Sequence, residues 1–198
     1  MGSRRIHRPP RTAQSRRSVL VAGLSVLAGG FAGIARAADV QANEYQIKAA
    51  YLCKFATYIE WPAAAAASDA TVPVVIGVLA SDAVAAEMAN TVQGQSAGGR
   101  AIVVRRIDAH ERLDGLSILF IARTQAARAP EALAALQGRP VLTVAESDLP
   151  GDSNSMVKFI VIDDKVKFDV ALPLVVHSGL KISARLLAVA RVVTGRDS

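Results

Sequence analysis

Residues 44–62 read Glu-Tyr-Gln-Ile-Lys-Ala-Ala-Tyr-Leu-Cys-Lys-Phe-Ala-Thr-Tyr-Ile-Glu-Trp-Pro, and we take this stretch as the one that decides the fold. It holds the only tryptophan, the only cysteine and all three tyrosines of the chain. Trp61-Pro62 should end a helix here, because the residue before a proline is pushed out of the α region. At about 100° per residue, six apolar side chains share one stripe, which predicts a helix packed on a core: Ile47, Tyr51, Leu52, Phe55, Tyr58 and Ile59.

Two residues of this helix stand out from the pattern. Lys48 falls inside the apolar stripe, and Glu44 lies four residues earlier, which is the favourable order for a helical ion pair. Lys48 is therefore either held by Glu44 or is a cation at a ligand or partner groove. Cys53 falls on the other side of the helix and cannot close an internal disulfide alone. It is either a small buried hydrophobe or an open thiol available to an intermolecular disulfide.

The charge of the chain is concentrated in its first 37 residues. The formal net charge of +6 suggests an anionic partner. Residues 1–37, however, contain seven of the 23 lysines and arginines and no acid, so the remainder carries 16 basic against 17 acidic residues. Because no basic run or RNA-reading motif follows residue 38, the electrostatic footprint of a nucleic-acid binder is absent.

The leading segment has the organisation of an export signal. A basic stretch precedes the apolar run Val19–Ile34, and Ala35-Arg36-Ala37 is a small-residue cleavage site. The run has 16 residues, fewer than the roughly 20 that a membrane-spanning helix needs, so we predict no stable membrane insertion. Arg16-Arg17 fits a twin-arginine signal, with the general export route as the alternative. We expect a cleaved signal over 1–37, one domain over 38–198 and a periplasmic location.

The mature part predicts a single compact α/β sandwich of three layers. Apolar, β-branched runs without alternation are typical of buried parallel strands, and alternation with helices indicates βαβ units. Asp163-Asp164 lies between two such runs and predicts a tight antiparallel hairpin near the C-terminal end of a mostly parallel sheet. The predicted strands are Val72–Leu79, Ala101–Ile107, Leu116–Ala122, Val141–Ala145, Met156–Ile162 and Lys165–Val170. The predicted helices are Asp82–Val92, capped by Ser81, Pro130–Gln137, closed by Gly138, and a last helix capped by Ser183 with Leu186, Leu187, Val189, Ala190 and Val193 facing inward.

Short catalytic patterns fail in their context. Gly94–Gly98 matches the nucleophile elbow of serine hydrolases, but a helix precedes it and a strand follows, so we interpret it as a glycine-rich turn. Ser178 and Lys181 match a Ser-x-x-Lys pattern that lacks its partner motifs. His110 and His177 lie 67 positions apart, and with one cysteine they give no zinc spacing. His177 is either a structural histidine or a ligand-binding or pH-sensitive one. We predict no catalytic residue, cofactor or metal, and no enzyme.

The chain resembles the YfiR family of bacterial periplasmic proteins, which includes HmsC-like members. The resemblance covers nearly all of the mature part and is most specific in its first and last blocks. The first block is Lys48–Leu52 with Phe55, Tyr58 and Glu60–Pro62, and the last block is Gly179–Ser183 with Leu186-Leu187. The turn Gly99-Arg100, between these blocks, also matches the family.

The resemblance implies a dimeric, non-enzymatic repressor. Such proteins hold the periplasmic sensor region of an inner-membrane diguanylate cyclase inactive, and their release raises cyclic di-GMP and promotes biofilm formation. Family members commonly carry cysteines near the third strand and in the loop before the hairpin, and this chain has none there. Of its residues, only Cys53 could serve as a redox thiol.

We therefore expect a periplasmic repressor that binds such a cyclase and forms a homodimer. The alternatives are a periplasmic small-molecule binding protein or a cofactor-carrying redox enzyme exported in the folded state, and a structural envelope protein. The residues predicted to bind a partner or ligand are Lys48, Tyr51, Trp61, Arg100 and His177.

Overall fold

The computed structural model describes Gly2 and residues 28–62, 71–108, 111–151 and 153–195, with side chains from residue 41 onward. It divides into two units, Met1–Ala38 and Asp39–Ser198. Residues 1 and 3–27 of the predicted export signal lie outside the described residues, as does His110, and residues 28–37 form the start of a helix. The signal stays a prediction. The second unit contains the sheets and both hydrophobic clusters.

Helices and strands alternate along the chain. In order, they are helix α1 (Ala28–Tyr58), strands β1 (Ile59–Glu60) and β2 (Val74–Leu79), helix α2 (Asp82–Val92), strands β3 (Ser96–Ala97), β4 (Arg100–Arg106) and β5 (Ile118–Ile121), a 3-10 helix (Arg123–Arg128) that runs into α3 (Ala129–Ala135), strands β6 (Leu142–Ala145), β7 (Val157–Ile162) and β8 (Lys165–Ala171), helix α4 (Leu172–His177), strand β9 (Lys181–Ile182), helix α5 (Ala184–Val189) and strand β10 (Val192–Thr194).

The main sheet has the order β10-β8-β7-β6-β5-β2-β4-β3. Five neighbours, β4, β2, β5, β6 and β7, run parallel, and β7 and β8 form the predicted antiparallel hairpin. Every residue of β5 and β6 is buried, as expected for central parallel strands covered on both faces. Because β4 and β5 lie on opposite sides of β2, the chain order reverses between β2 and β5, which is the switch point of a doubly wound sheet.

Helices cover both faces of this sheet and complete the three predicted layers. On one face, α1 and α2 bury Phe55 and Met88 against Phe120 and Phe159. On the other, α3 and the residue that follows it, Leu136, pack against a second cluster that includes Leu119. The α/β class, the mostly parallel sheet and the late hairpin are thus confirmed.

Local signals located several elements correctly. Helix α2 has the predicted bounds, and the Ser81 hydroxyl accepts a hydrogen bond from the Val84 amide at 3.4 Å. The first helix ends earlier than expected, at Tyr58, because Ile59 and Glu60 leave it to pair with β9. The predicted apolar stripe is also slightly wrong: Ile47 is 37 % exposed, and Tyr45 is buried in its place.

The end of the chain departs from the prediction. Ser183 caps α5, and Leu186 is buried as expected. The helix nevertheless ends at Val189, which is 65 % exposed, and Val193 lies in β10. The physical reason is that Val192–Thr194 is a β-branched stretch that can extend the sheet beside β8, where it pairs with Asp169–Ala171.

Candidate functional site

Lys48 lies in a buried ionic cluster. Only 1 % of the residue is exposed, and its ammonium Nζ contacts the carboxylate of Glu44 and lies 2.6 Å from Oε1 of Glu146. The other carboxylate oxygen of Glu146 accepts hydrogen bonds from the Arg123 amide at 2.8 Å and the Tyr45 hydroxyl at 3.4 Å. We call Glu44, Tyr45, Lys48 and Glu146 the Lys48 cluster.

The fold explains why these groups meet. One turn of α1 presents Glu44, Tyr45 and Lys48, while Glu146 directly follows β6 and Arg123 nearly follows β5, at the carboxyl ends of neighbouring parallel strands. A buried charge must be paired, and Glu146 provides the pairing that Lys48 needs. The sequence pattern indicated Lys48 and Glu44 but not Glu146. The available signal was an acid placed directly after the short strand Leu142–Ala145, in which three of the four residues are apolar.

The cluster also perturbs Tyr45. Burial, and next the negative charge of Glu146, raise the pKa of Tyr45 to about 12, so its hydroxyl stays a hydrogen-bond donor even above pH 10, where a free tyrosine ionises. The Lys48 ammonium lies 5.1 Å from the centre of the Tyr45 ring, within the range of a cation–π contact. Lys48 is thus fully engaged. In this conformation it can influence a partner only through the helix that it holds.

A second set of residues forms an open surface. Strands β1 and β9 pair antiparallel, with Glu60 opposite Lys181. This pairing carries Trp61-Pro62 to Gly179, where a Cβ added to the glycine would lie 3.6 Å from Pro62 Cγ. Helix α4 ends just before Gly179 with two exposed residues, Val176 and His177. We call Trp61, Pro62, Val176, His177, Gly179 and Lys181 the α1–β9 surface.

Trp61 connects this surface to the core. Its side chain is half-buried and packs against the main hydrophobic cluster. The indole Nε1 is buried and has no hydrogen-bond partner among the described residues, which stop at Pro62 and resume at Thr71. A buried indole N–H usually has an acceptor, so this donor is a candidate for contact with another segment or protein.

The other predicted binding residues lie elsewhere. Tyr51 is half-buried and packs within 6.1 Å of Phe55, 5.9 Å of Phe159 and 5.6 Å of Phe168, measured between ring centres. Arg100 lies on β4 and donates hydrogen bonds to the carbonyls of Val72 at 2.7 Å and Pro73 at 3.0 Å, which fixes the entry to β2. The structure therefore places Trp61 and His177 on the two segments that meet where Pro62 approaches Gly179, and it places Lys48, Tyr51 and Arg100 elsewhere.

Cys53 is half-buried and packs against the core. Burial raises the pKa of its thiol, which lowers the fraction of reactive thiolate at neutral pH. Its predicted redox role stays a prediction.

The failed catalytic patterns have structural roles. Ser96 lies in β3, after a helix and before a strand, in the predicted glycine-rich turn rather than on a nucleophile elbow. Ser178 is buried, and its hydroxyl donates to the Val175 carbonyl at 2.7 Å. Neither serine has the setting of a nucleophile. Within the described ranges, no group of three or more His, Cys, Asp or Glu side chains could hold a metal ion, and no helix is long and apolar enough to cross a membrane.

One cleft reaches the α1–β9 surface. It lies between α3 and α4, has a volume of ≈ 330 Å³ and is lined by apolar and polar residues in similar number, Leu133 and Leu174 among the first and His177 among the second. A pocket of this composition can enclose part of a small amphipathic molecule.

Comparison with known proteins agrees with the resemblance seen in the sequence. The model of a family described as YfiR/HmsC-like matches residues 45–191. No curated protein matches the sequence. The matched range begins in the Lys48 cluster, includes the whole α1–β9 surface and ends just before β10.

Proposed function

Because the chain belongs to the YfiR/HmsC-like family, we propose that it is a periplasmic repressor that binds the periplasmic region of an inner-membrane diguanylate cyclase and lowers cyclic di-GMP output. The observation that carries this proposal is the family match, which spans nearly the whole second unit. Proteins of this family regulate a diguanylate cyclase. The predicted export signal supports the compartment, and the resemblance supports a homodimer.

Repression of this kind requires binding and no chemistry. A protein that binds the inactive state of a cyclase more tightly than the active state shifts the population toward the inactive state. A tenfold difference in affinity between the two states corresponds to about 1.4 kcal/mol. A surface of modest size on a rigid domain can provide that difference.

The α1–β9 surface is the part of the molecule that suits this role best. Trp61 is the only tryptophan, and tryptophan is enriched among the residues that dominate binding energy at protein interfaces. Val176 is 66 % exposed and offers an apolar contact at the end of α4, three residues before Gly179. The pairing of β1 with β9 makes the backbone of this surface rigid, which reduces the entropy lost on binding.

The carboxyl edge of the sheet supports the same interpretation. Doubly wound sheets usually bind small ligands in a crevice at this edge, beside the switch point. Here Tyr45, Lys48 and Glu146 occupy the ends of β5 and β6 and bind one another. The chain's own side chains thus satisfy one another at the strand ends next to the switch point, which supports recognition on an outer surface.

Two matched substitutions test the proposal. Val176→Asp places a charge on the α1–β9 surface, and Val189→Asp places one at a valine of nearly equal exposure in α5, 66 % against 65 %. In cells that lack the wild-type protein, Val176→Asp should leave cyclic di-GMP high, whereas Val189→Asp should restore the low level. Pull-down of the cyclase from envelope extract should fail for the first variant only. Unchanged cyclic di-GMP on deletion of the protein would overturn the proposal.

A second candidate function, periplasmic binding of a small molecule, is favoured by the cleft of ≈ 330 Å³ beside His177. Native mass spectrometry of protein purified from the periplasm separates the two candidates. A retained small molecule that is lost on replacing Leu133 with tryptophan would favour ligand binding, and a mass equal to the bare chain or its dimer would favour the repressor alone.

A further inference from the structure

A pocket lies at the carboxyl ends of β2 and β4. It has a volume of ≈ 210 Å³, and its apolar lining includes Leu79, the last residue of β2, and Ile107, which directly follows β4. One wall is residues 111–114, between β4 and β5, and the other is α3 with the residues that flank it. The Lys48 cluster lies at the ends of β5 and β6, on the other side of β2. Ligands of doubly wound sheets usually bind outside the carboxyl ends of the strands beside the switch point, which is where this pocket lies.

The wall between β4 and β5 is held in place from two sides. Arg105, on β4, donates hydrogen bonds to the carbonyls of Arg112 at 3.3 Å and Asp114 at 2.9 Å. Arg139, after α3, donates to the carbonyl of Leu113 at 3.2 Å. These bonds end on backbone groups of the wall, so they do not depend on the side chain of Arg112. A pocket with fixed walls loses little entropy when a ligand binds, which favours binding of a ligand that fits.

The carboxylates that line the pocket already have partners. They are Asp108, Glu111, Asp114 and Glu131. Asp114 pairs with Arg139 at 3.1 Å, and Asp108 pairs with Arg106 at 2.6 Å. Glu111 accepts a hydrogen bond from the Asp108 amide at 3.0 Å, and Glu131 is engaged as well. Because Arg106 is shared with Asp82, the charges around the pocket nearly balance, and a charged ligand should bind with modest affinity.

Two arginines of the lining have no carboxylate partner among the described residues. Arg112 lies on the wall between β4 and β5, and Arg128 directly precedes α3 on the other wall. Arg128 donates a long hydrogen bond to Gln125 Oε1, at 3.4 Å. A guanidinium binds a carboxylate or phosphate through two parallel hydrogen bonds. The pocket therefore suits an anion that reaches both arginines, rather than a cation.

The size and the apolar lining indicate which anion fits. The volume of ≈ 210 Å³ holds about seven water-sized groups at ~30 Å³ each. Five apolar side chains contribute to the lining: Leu79, Ile107, Leu113, Ala132 and Ala135. Inorganic phosphate would leave this apolar surface in contact with water. A carboxylate with a short hydrocarbon chain covers it, and each methylene that the chain buries strengthens binding about fourfold.

We propose that this pocket binds a short aliphatic acid of about four to six carbons, with its carboxylate between Arg112 and Arg128 and its chain against the apolar lining. The site is separate from the α1–β9 surface and from the cleft between α3 and α4. The proposal does not depend on the identity of the cyclase partner.

Titration of hexanoate into ¹⁵N-labelled protein at low ionic strength tests this. Amide signals of residues 107–114 and 128–135 should shift and saturate in the millimolar range. Arg112→Gln and Arg128→Gln should each weaken binding about tenfold, because each removes a charge-assisted hydrogen bond. Arg185→Gln, at an exposed arginine of α5, is the matched control and should change the affinity less than about twofold.

A second matched pair changes the helical wall instead of the arginines. Ala135→Asp places a negative charge in the lining and should weaken binding of hexanoate about tenfold. Ala134→Asp changes the neighbouring residue of α3, which is also exposed but lies outside the lining, and should leave the affinity unchanged.

Related ligands separate the two parts of the interaction. Hexanamide has the shape of hexanoate without its charge, and acetate has the charge without the chain, so each should bind at least about tenfold more weakly than hexanoate. The proposal is overturned if no amide signal saturates below about 50 mM hexanoate. It is also overturned if hexanamide or inorganic phosphate binds as tightly as hexanoate, or if Arg185→Gln weakens binding as much as Arg112→Gln.

Discussion

Replacing Lys48 with methionine should lower the free energy of unfolding by about 3–5 kcal/mol, because it leaves a buried carboxylate without its cation. The side chains of Lys48 and Glu146 are each 2 % exposed, so water cannot substitute for the lost partner. Glu44 is 30 % exposed and can turn toward solvent. The cost therefore comes mainly from Glu146, whose remaining partners are the Arg123 amide and the Tyr45 hydroxyl.

The same structure predicts how the loss is recovered. Glu146→Gln keeps an acceptor for the Arg123 amide but carries no charge, so the double variant Lys48→Met/Glu146→Gln should regain more than half of the lost stability. Replacing a buried ion pair with neutral groups is often close to neutral, whereas removing one partner is not. The coupling energy between the two positions should be about 2–3 kcal/mol, at the upper end for residues in contact.

Urea unfolding followed by Trp61 fluorescence and far-UV circular dichroism gives these energies. Lys54→Met is the matched control, because Lys54 is exposed on the same helix. It should change stability by no more than about 0.5 kcal/mol. For one domain of this size, the Lys48→Met variant should also melt about 6–20 °C lower. If Lys48→Met and Lys54→Met cost the same, Lys48 and Glu146 do not form a buried, coupled pair.

Three other changes have defined outcomes. The pKa of Tyr45 is raised to about 12, and an unfolded tyrosine ionises near 10, so its contribution to stability is present below pH 10 and is lost as pH rises toward 12. Titration at 295 nm should show a late-ionising tyrosine that is absent from Tyr45→Phe. Asp163 and Asp164 have φ of 49° and 57°, which Asn-Gly adopts more readily. Replacing them with Asn-Gly should therefore raise the free energy of unfolding by about 1 kcal/mol, seen as a higher urea midpoint, and an unchanged midpoint would contradict the turn assignment. The Cys53 thiol, half-buried and with a raised pKa, should react with a disulfide reagent at pH 8 at least about tenfold more slowly in the folded protein than in urea.

Local chemistry predicted a large part of this fold, and long-range pairing accounts for most of what it missed. The Ser81 cap and the Asp163-Asp164 turn depend on a few neighbouring residues, and the structure has both. The pairing of Val192–Thr194 with β8 was not predictable in this way, because its β-branched residues favour a strand but nothing within the stretch identifies β8 as its partner. The β1–β9 pair is only two residues long on each side and joins positions far apart in the chain.

The Lys48 cluster shows the same limit at the level of the site. Periodicity showed that a lysine lies on a buried face, and this was correct. Its second partner, Glu146, is 98 residues away and could be identified only once the sheet had placed the end of β6 beside α1. The sequence therefore indicated that a buried lysine needs a charged partner but did not identify Glu146 as that partner. For the same reason it left a structural cation and a binding cation as equal alternatives.

Helix α1 connects the Lys48 cluster to the α1–β9 surface. Helix α1 is fastened at two points: Lys48 fixes it to the carboxyl edge of the sheet, and Ile59 and Glu60, which continue from it, pair with β9. About ten residues of helix separate Lys48 from Tyr58, or about 15 Å, and a helix transmits a shift along its axis with little loss. The position of Trp61 on the α1–β9 surface should therefore depend on the buried pair.

The double variant Lys48→Met/Glu146→Gln separates stability from positioning, since it should fold without the ionic contact. If it folds but lowers cyclic di-GMP less than wild type in the assay of the proposed function, the pair positions the surface. If the two proteins lower it equally, packing of α1 alone suffices and the pair serves stability only.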